Sequence, residues 1–315
     1  MEKISFVIPC YGSENTIEYV VAEIRETVAQ RPGFTFEIIA VNDCSPDRVY
    51  DKLVMLAAED RRVKVINFAK NMNRPGAVMA GLNNASGKYV VVMDDDGQCP
   101  MDKFWELFQP IEEGHDVAIA KYPERKQSAF KNFGTLVNKK MTEFIINRPK
   151  DMEFTNFMIM RSYIVDEIIK YKNPYPYFTG LILRTTRDVV NVKMEERDRI
   201  SGSSTFTFGK MLGMWINGLT AFSIKPLRIS SLVGVICAVI GFIFGVVTII
   251  RKLVSTNISV GWSSTIAIML FIGGLIMLML GMIGEYLGRI YISLNNSPQF
   301  VIKEKINFDG DDDEE

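Results

Sequence analysis

The chain is poor in the residues that build metal clusters and covalent cross-links. Its 315 residues include one histidine and four cysteines, and no two cysteines stand in a CxxC pair. Zinc sites and disulfide frameworks depend on such residues, so the sequence excludes both as organising features. We expect reduced thiols at Cys10, Cys44, Cys99 and Cys237.

An excess of either charge is also missing, because 36 Lys and Arg stand against 37 Asp and Glu. Proteins that bind nucleic acid through counterion release carry a basic excess, so we expect no nucleic acid partner. A secretory signal is missing as well, since the opening run Lys3–Pro9 is too short and too strand-like for the apolar core of one. We therefore expect the soluble part of the chain to stay in the cytoplasm.

Charged residues are wholly absent from two long runs, residues 229–250 and 262–283. Each run exceeds the roughly 20 residues that cross a hydrocarbon core, which predicts two transmembrane helices. The link of residues 251–261 is short, so the helices form a hairpin over 229–284 with both ends on one side of the bilayer. Basic residues near those ends outnumber those in the link, which places both ends and both termini in the cytosol of an integral membrane protein.

The segments on either side of the hairpin differ in character. Residues 206–228 combine many aromatic and apolar side chains with few charges, which is typical of an amphipathic helix in the membrane interface. Residues 285–315 are predicted to form a cytosolic tail whose acidic end is disordered.

Residues 1–205 show the alternation of a soluble α/β domain. Val- and Ile-rich runs, typical of buried parallel strands, alternate with amphipathic stretches. The predicted strands are Ile4–Ile8, Phe36–Val41, Val63–Phe68, Tyr89–Met93 and Val117–Ala120. The predicted helices are one capped by Ser13, one capped by Asp47 or Ser45, and two over Gly76–Ala85 and Met101–Glu112. This alternation implies a doubly wound, mostly parallel, Rossmann-like sheet that binds ligands at the carboxyl ends of its strands.

Three adjacent carboxylates, Asp94, Asp95 and Asp96, follow the fourth predicted strand. They repel one another unless a cation or hydrogen-bond donors neutralise them. Alternation along an extended chain points Asp94 and Asp96 the same way, so one Mg²⁺ or Mn²⁺ ion fits between this pair and a substrate diphosphate. Such a triplet is often only a polar turn, but its place at the carboxyl edge of a parallel sheet favours a function.

Two further loops end at the same edge. Asp43 follows the second strand and is able to accept hydrogen bonds from a nucleobase, while Tyr11 follows the first strand and supplies an aromatic wall. Together the three loops predict a nucleotide pocket with a metal-bridged diphosphate. From residue 122 to 199 basic and aromatic residues interleave, which indicates a lid or acceptor surface, or else only a solvated helix face.

These motifs resemble those of family 2 glycosyltransferases. The donor-side segments that carry the resemblance are Val7–Tyr11, Val41–Asp47, Asn71–Gly81 and Asp94–Gln98. The later segments that resemble the polyprenyl-phosphate subgroup are Asp198–Ser204, Lys225–Arg228 and Gly284–Tyr291. That subgroup includes dolichol-phosphate mannose synthase and the undecaprenyl-phosphate glucosyl and aminoarabinose transferases. The resemblance implies a GT-A fold that moves a hexose or modified sugar from a nucleotide sugar to undecaprenyl or dolichyl phosphate at a bilayer, and a homo-oligomer, namely a tetramer.

The resemblance also implies residue roles. The implied catalytic residues are Asp94, Asp96 and Arg199, of which Asp94 and Asp96 hold the metal ion. The implied nucleotide-sugar site consists of Pro9, Tyr11, Glu14, Asp43, Lys70, Asp94 and Asp95. The implied acceptor-phosphate site consists of Arg125, Arg199, Ser204 and Arg228. A lipid phosphate is already anionic, so a general base is less necessary than it is for a sugar hydroxyl.

The chain departs from the family pattern at several positions. Gly12-Ser13-Glu14 stands where the family has Asn-Glu-Glu, Asn73 where it has glycine, and Thr205 where it has lysine. Neither Thr155 nor Asn156 is the acid that the family has there, and Glu153 is a candidate substitute. Two alternatives therefore stay open: a membrane scaffold that binds nucleotide sugars without catalysis, and a processive polysaccharide synthase, although no Gln-x-x-Arg-Trp pattern occurs.

Overall fold

The computed structural model describes residues 1–123, 143, 149–150, 152–174, 176–197, 225–254, 261–295 and 298–308. The chain divides into two compact units, residues 1–211 with 296–315, and residues 212–295. The predicted site residues Arg125, Arg199 and Ser204 lie outside the described residues, as do most of segment 206–228 and the acidic end of the tail.

The first unit alternates strands and helices. Its strands are β1 (Glu2–Cys10), β2 (Phe34–Asn42), β3 (Val63–Phe68), β4 (Tyr89–Val92), β5 (Val117–Lys121), β6 (Met158–Arg161), β7 (Val189–Lys193) and β8 (Ile302–Ile306). Its helices are α1 (Ile17–Ala29), α2 (Val49–Glu59), α3 (Asn73–Asn83), α4 (Phe104–Glu112), α5 (Ser162–Ile168) and α6 (Phe178–Thr185). The five strands predicted from apolar runs are β1 to β5, and each is confirmed to within two residues at either end.

The eight strands form one sheet in the order β7-β5-β6-β4-β1-β2-β3-β8. β1 pairs in parallel with both β2 and β4, and β2 pairs in parallel with β3, whereas β6 and β8 are antiparallel to their neighbours. The chain therefore runs outward from β1 to β3 and returns to the other side of β1 to form β4. Open α/β sheets bind ligands where the strand order reverses in this way. The predicted doubly wound sheet is confirmed, and its reversal lies between β1 and β4.

Helices cover both faces of the sheet. In β2, Phe36, Ile38 and Ala40 pack in the cluster that contains buried residues of α1, α2 and α4, whereas Ile39 and Val41 pack in the cluster that contains α3. Burial on both faces explains why these strands are nearly continuous apolar runs in the sequence.

The helix starts differ from the predictions. Ser13 as the cap of α1 is wrong: the helix begins at Ile17, and the Ser13 carbonyl oxygen accepts hydrogen bonds from the backbone N–H of Thr16 and Ile17 at 3.1 Å. Asp47 accepts a hydrogen bond from the N–H of Val49, the first residue of α2, at 3.3 Å, although residue 48 occupies the cap position. α3 begins three residues before the predicted Gly76, and the predicted fourth helix opens with a 3₁₀ turn at Met101–Lys103.

The segment that follows the apolar helices returns to the sheet of the first unit. β8 pairs with β3, and the ring of Phe300 stacks on Phe68 with 6.0 Å between centroids. The buried Gln299 side chain donates hydrogen bonds from Nε2 to the carbonyl oxygens of Tyr171 and Asn173. The sheet therefore contains strands from both ends of the chain.

In the second unit the structure describes two long apolar helices, α7 (Lys225–Val254) and α8 (Trp262–Leu294). They pack on each other, and a Cβ added to Gly234 would lie 3.1 Å from the Cε of Met279. Within the described ranges, Phe271–Ile292 is the one stretch long and apolar enough to cross a membrane, and Ser230–Phe244 is apolar but shorter. The helices are apolar as expected, whereas two membrane crossings at 229–250 and 262–283 stay a prediction.

Candidate active site

The middle aspartate of the triplet joins the loops that follow β1 and β4. Asp95 Oδ2 accepts a hydrogen bond from the backbone N–H of Tyr11 at 3.0 Å, and the Asp95 carbonyl oxygen accepts one from Thr16 Oγ1 at 2.6 Å. Burial raises the pKa of the Asp95 carboxyl to about 6, although the hydrogen bonds from Ser13 and Tyr11 oppose this shift. Asp95 thus fixes Tyr11 beside the triplet, and its direct contact with a donor stays a prediction.

Asp94 is held from two sides. Its Oδ1 lies 2.8 Å from Arg74 Nε, and its Oδ2 accepts a hydrogen bond from Asn156 Nδ2 at 2.6 Å. Arg74 belongs to the first turn of α3, while Asn156 lies two residues before β6. Because the ion pair is partly exposed, it orients Asp94 more than it stabilises the fold.

Asp96 lies at the start of the turn that Gly97 forms after the triplet. Gly97 has a φ of +75°, a value that glycine adopts without strain, and Asp96 Oδ1 accepts a hydrogen bond from the N–H of Gln98 at 3.1 Å. Asp94 and Asp96 both line one cavity of about 280 Å³. The complete lining is Asp94, Asp96, Gln98, Cys99, Tyr122, Phe154, Thr155, Asn156, Phe157 and Glu196.

The cavity suits a metal ion that is shared with a diphosphate. Among the residues that the structure describes, no three His, Cys, Asp or Glu side chains come together as a complete set of metal ligands. Mg²⁺ and related ions are commonly held by one or two carboxylates plus substrate phosphates and water, so Asp94 and Asp96 fit that donor set.

The Asp43 carboxylate lies in a second, more buried place at the same sheet edge. Its Oδ1 accepts a hydrogen bond from the backbone N–H of Met72 at 2.6 Å, and its carbonyl oxygen accepts one from Asn71 Nδ2. The residue is only 3% exposed, and burial raises the pKa of its carboxyl to about 6. Asn73, in the same turn, has a φ of +61°, so the asparagine does adopt the left-handed conformation that the family gives to glycine.

A polar network connects the β1 and β2 loops. Ser45 Oγ accepts a hydrogen bond from the N–H of Gly12 at 2.8 Å and donates one to Asp47 Oδ1 at 2.5 Å. Asp47 Oδ2 also accepts from the N–H of Glu14, whose own carboxylate accepts from the N–H of Arg48. Glu14 therefore holds the β1 and β2 loops together through hydrogen bonds. A contact between Glu14 and the ribose stays a prediction.

The remaining predicted residues are spread more widely. Pro9 is buried near the end of β1, Lys70 is exposed in the loop after β3, and Arg228 is exposed on α7 in the second unit. Glu153, the candidate substitute for the missing acid, is absent from the cavity lining and lies 3.3 Å from Lys121 in an ion pair. Thr155 does line the cavity, and its hydroxyl donates a hydrogen bond to the Ala120 carbonyl oxygen.

Sequence reasoning missed several cavity residues. Arg74 forms an ion pair with Asp94, and the cavity lining includes Gln98, Tyr122 and Glu196. Gln98 also donates a hydrogen bond to the Arg197 carbonyl oxygen. Burial raises the pKa of Tyr122 well above its usual range, and nearby negative groups including Glu196 and Asp94 add to the shift, so its hydroxyl stays a donor at neutral pH. Arg74 and Gln98 lie in the segments Asn71–Gly81 and Asp94–Gln98, which resemble family motifs. No local pattern points to Tyr122 or Glu196.

A mostly parallel sheet with carboxylates that face a cavity beyond the carboxyl end of a central strand is typical of the α/β enzymes that bind phosphate-containing ligands at that edge. The chain belongs to glycosyl transferase family 2, whose model matches residues 5–169, and residues 225–290 match the GtrB C-terminal hairpin. It is therefore a glycosyltransferase, and both matches agree with the resemblance seen in its motifs.

Relatives match along nearly the whole chain. The SfII prophage-derived bactoprenol glucosyl transferase of Shigella flexneri is 31% identical over 96% of this chain and 97% of its own. Glycosyltransferase YkcC of Bacillus subtilis is 30% identical over 95% and 93%. The fold is shared with glucosyl-3-phosphoglycerate synthase of Mycobacterium tuberculosis, solved with Mn²⁺ and UDP, at 18% identity over 71% and 79% of the two chains and a TM-score of 0.51. This likeness confirms the GT-A type α/β core.

Proposed function

We propose that the protein transfers a hexose or modified hexose from a nucleotide sugar to a polyprenyl phosphate, with Mg²⁺ or Mn²⁺ bound at Asp94 and Asp96. The observation that carries the proposal is the cavity that these two carboxylates share beyond the carboxyl end of β4. Relatives that match nearly the full length are named bactoprenol glucosyl transferases, which supports a lipid phosphate as the acceptor.

The chemistry is a single displacement. An oxygen of the lipid phosphate forms a bond to the anomeric carbon of the sugar, while the bond from that carbon to the nucleoside diphosphate breaks. The divalent ion, when bound, stabilises the negative charge of the departing diphosphate. Asp96 contributes a ligand oxygen, Asp94 is kept in place by Arg74 and Asn156, and Asp43 accepts a hydrogen bond from the nucleobase.

The apolar second unit agrees with a lipid acceptor. α7 and α8 expose large apolar side chains along their length, as helices in contact with lipid do. We propose that they form a hairpin in the bilayer, with the catalytic unit and both termini in the cytosol. The return of the chain from α8 to β8 supports this topology, because the hairpin begins and ends at the same catalytic unit.

A transfer assay tests the proposal. The full chain in lipid nanodiscs receives undecaprenyl phosphate, Mn²⁺ or Mg²⁺, and radiolabelled UDP-, GDP- or dTDP-sugars in turn. We expect labelled lipid with one of these donors, and a rate lowered at least about 100-fold by Asp96→Asn, because that change removes a group that stabilises the leaving diphosphate.

The control is Asp51→Asn, which makes the same chemical change at an exposed position of α2 and leaves the rate intact. Donor binding without any transfer would contradict the proposal and indicate a scaffold that only binds nucleotide sugars. Labelled long polymer would contradict it in favour of a processive synthase.

A further inference from the structure

Residues 94–98, the Asp loop, are held by a segment about a hundred residues later in the chain. The N–H of Arg197 donates a hydrogen bond to the Gln98 carbonyl oxygen at 3.2 Å, and Gln98 Nε2 donates one to the Arg197 carbonyl oxygen at 3.1 Å. The N–H of Gln98 in turn donates to Asp96 Oδ1 at 3.1 Å. Hydrogen bonds therefore connect the backbone of residue 197, through Gln98, to the carboxylate of Asp96.

The side chain of Arg197 pairs with carboxylates on two other elements. Its Nη1 lies 2.6 Å from Glu23 on α1, and its Nη2 lies 2.5 Å from Asp102 in the 3₁₀ turn that follows the Asp loop. The Arg197 and Glu23 side chains are 29% and 15% exposed, whereas Asp102 is 60% exposed. Water and salt screen a partly buried ion pair less than an exposed one, so the pair with Glu23 is the stronger restraint.

The two ion pairs restrain the backbone that contacts Gln98. The planar guanidinium presents separate N–H groups to the two carboxylates at once, a geometry that a lysine ammonium reproduces only in part. Groups that hold a metal ligand in its orientation typically change metal affinity by about 10–100-fold when they bond to the ligand directly. Arg197 lies one contact further out, so we expect an effect below that range.

We propose that Arg197 is a positioning residue for the metal site. Its ion pairs with Glu23 and Asp102 fix the backbone that holds Gln98, and Gln98 holds Asp96 in the orientation that binds the ion. This inference rests on the proposed function, because it takes Asp96 as a ligand of the ion.

Calorimetry on the full chain in nanodiscs tests the inference. UDP is titrated once with Mn²⁺ and once with EDTA, and the ratio of the two affinities measures what the ion contributes to binding. We expect Arg197→Met to lower this ratio about fivefold, because the affinity falls with Mn²⁺ and stays unchanged with EDTA. GDP or dTDP replaces UDP if it is the nucleotide that the wild type binds.

Arg25→Met is the matched control, since it breaks an ion pair of similar burial elsewhere. Arg25 Nε lies 3.2 Å from Asp60, and these side chains are 30% and 14% exposed. Asp60 directly follows α2, so this pair holds α1 to a different element. We expect urea titration to show a comparable loss of stability in both Met variants, and calorimetry to show a lowered ratio in Arg197→Met alone.

Three further variants grade the effect. Arg197→Lys keeps a cation and is expected to recover part of the ratio that Arg197→Met loses. Glu23→Gln removes the stronger restraint without touching residue 197 and is expected to lower the ratio about threefold, with a smaller effect of Asp102→Asn. Should Arg197→Met not fold, Glu23→Gln decides the test.

Two results would overturn the inference alone. One is a ratio that Arg197→Met, or Glu23→Gln in its place, leaves at the wild-type value, which would make Arg197 a structural residue only. The other is an equal fall of the ratio in Arg25→Met. A wild type whose affinity is the same with Mn²⁺ and with EDTA contradicts the proposed metal site itself, and the wild-type titration distinguishes that outcome before any variant is compared.

Discussion

Asp94 and Asp96 lie two residues apart in one loop, yet different groups of the protein contact their carboxylates. Asp94 has Arg74 on one oxygen and Asn156 on the other, so its position is set before any ligand arrives. Asp96 accepts a hydrogen bond from the backbone of its own loop. The asparagine at position 156 matters here, because a second acid at 2.6 Å from Asp94 would repel it, whereas an amide donates to it.

The Asp43 carboxyl leads to a prediction about how the affinity for UDP depends on pH. Burial raises the pKa of its carboxyl to about 6, and only the ionised form accepts the imide N–H of a nucleobase through either oxygen. We expect UDP affinity to fall about tenfold when the pH drops from 7 to 5, because protonation removes the binding-competent form. Calorimetry with Mn²⁺ across this range measures it, and Asp43→Asn should bind weakly with a smaller pH dependence than the wild type.

The same shift acts on stability with the opposite sign. A carboxyl whose pKa is higher in the folded than in the unfolded chain holds its proton more tightly when folded. Its contribution to the free energy of unfolding is thus fully present below about pH 4 and is lost as the pH rises through about 6.

UDP affinity that is constant from pH 5 to 8, with Asp51→Asn as the reference variant, would show that Asp43 does not contact the base.

At the scale of elements, the approach of α3 to β1 depends on a glycine. A Cβ added to Gly81 would lie 2.3 Å from Val7 Cγ1, a distance at which the helix or the strand has to move. We expect Gly81→Ala to lower the free energy of unfolding by about 1–3 kcal/mol, the usual cost of overpacking a core. Urea titration measures it.

Gly33→Ala is the control for this change. Nothing lies within 4 Å of a Cβ added at Gly33, so we expect an effect within about 0.5 kcal/mol. Equal effects of the two substitutions would contradict the close packing of α3 on β1.

Elements were predictable from sequence where burial leaves a pattern. β1 to β5 are covered on both faces or lie among buried neighbours, so their apolar runs stand out. β8 reads Ile-Lys-Glu-Lys-Ile with three exposed charges at the sheet edge, so it lacks that signal. β8 also pairs with a strand more than 230 residues earlier in the chain, a contact that no local pattern encodes.

The candidate site was likewise predictable only where its residues follow a strand with a clear sequence signal. Asp43 and the Asp triplet follow strong strand signals, and the sheet order then brings their loops to one edge. Arg74 contacts Asp94, and Glu196 lines the cavity, only because distant segments fold together. Arg74 lies in a segment that resembles a family motif, whereas no local pattern marks Glu196. The interpretation of Ser13 as a helix cap failed because its backbone, rather than its hydroxyl, accepts the first N–H groups.

At the scale of the whole molecule, the hairpin topology gives a labelling prediction. We expect Cys44, which is exposed in the catalytic unit, to be inaccessible to a membrane-impermeant maleimide in intact cells. A cysteine introduced by Gly261→Cys, just before α8, should react from outside, because the proposed topology places the link on the opposite face of the membrane. Lysed cells, in which both thiols are reachable, provide the control, and labelling of Cys44 in intact cells would contradict the topology.

The central claim is that the Asp94 and Asp96 loop binds the donor diphosphate through a divalent ion. Its most direct test is calorimetric titration of the full chain with the nucleotide of its donor, once with Mn²⁺ and once with EDTA. The account predicts binding at least about tenfold tighter with Mn²⁺, and loss of this gain in Asp96→Asn but not in Asp51→Asn. Equal affinity with and without the ion, or an unchanged gain in Asp96→Asn, would contradict it.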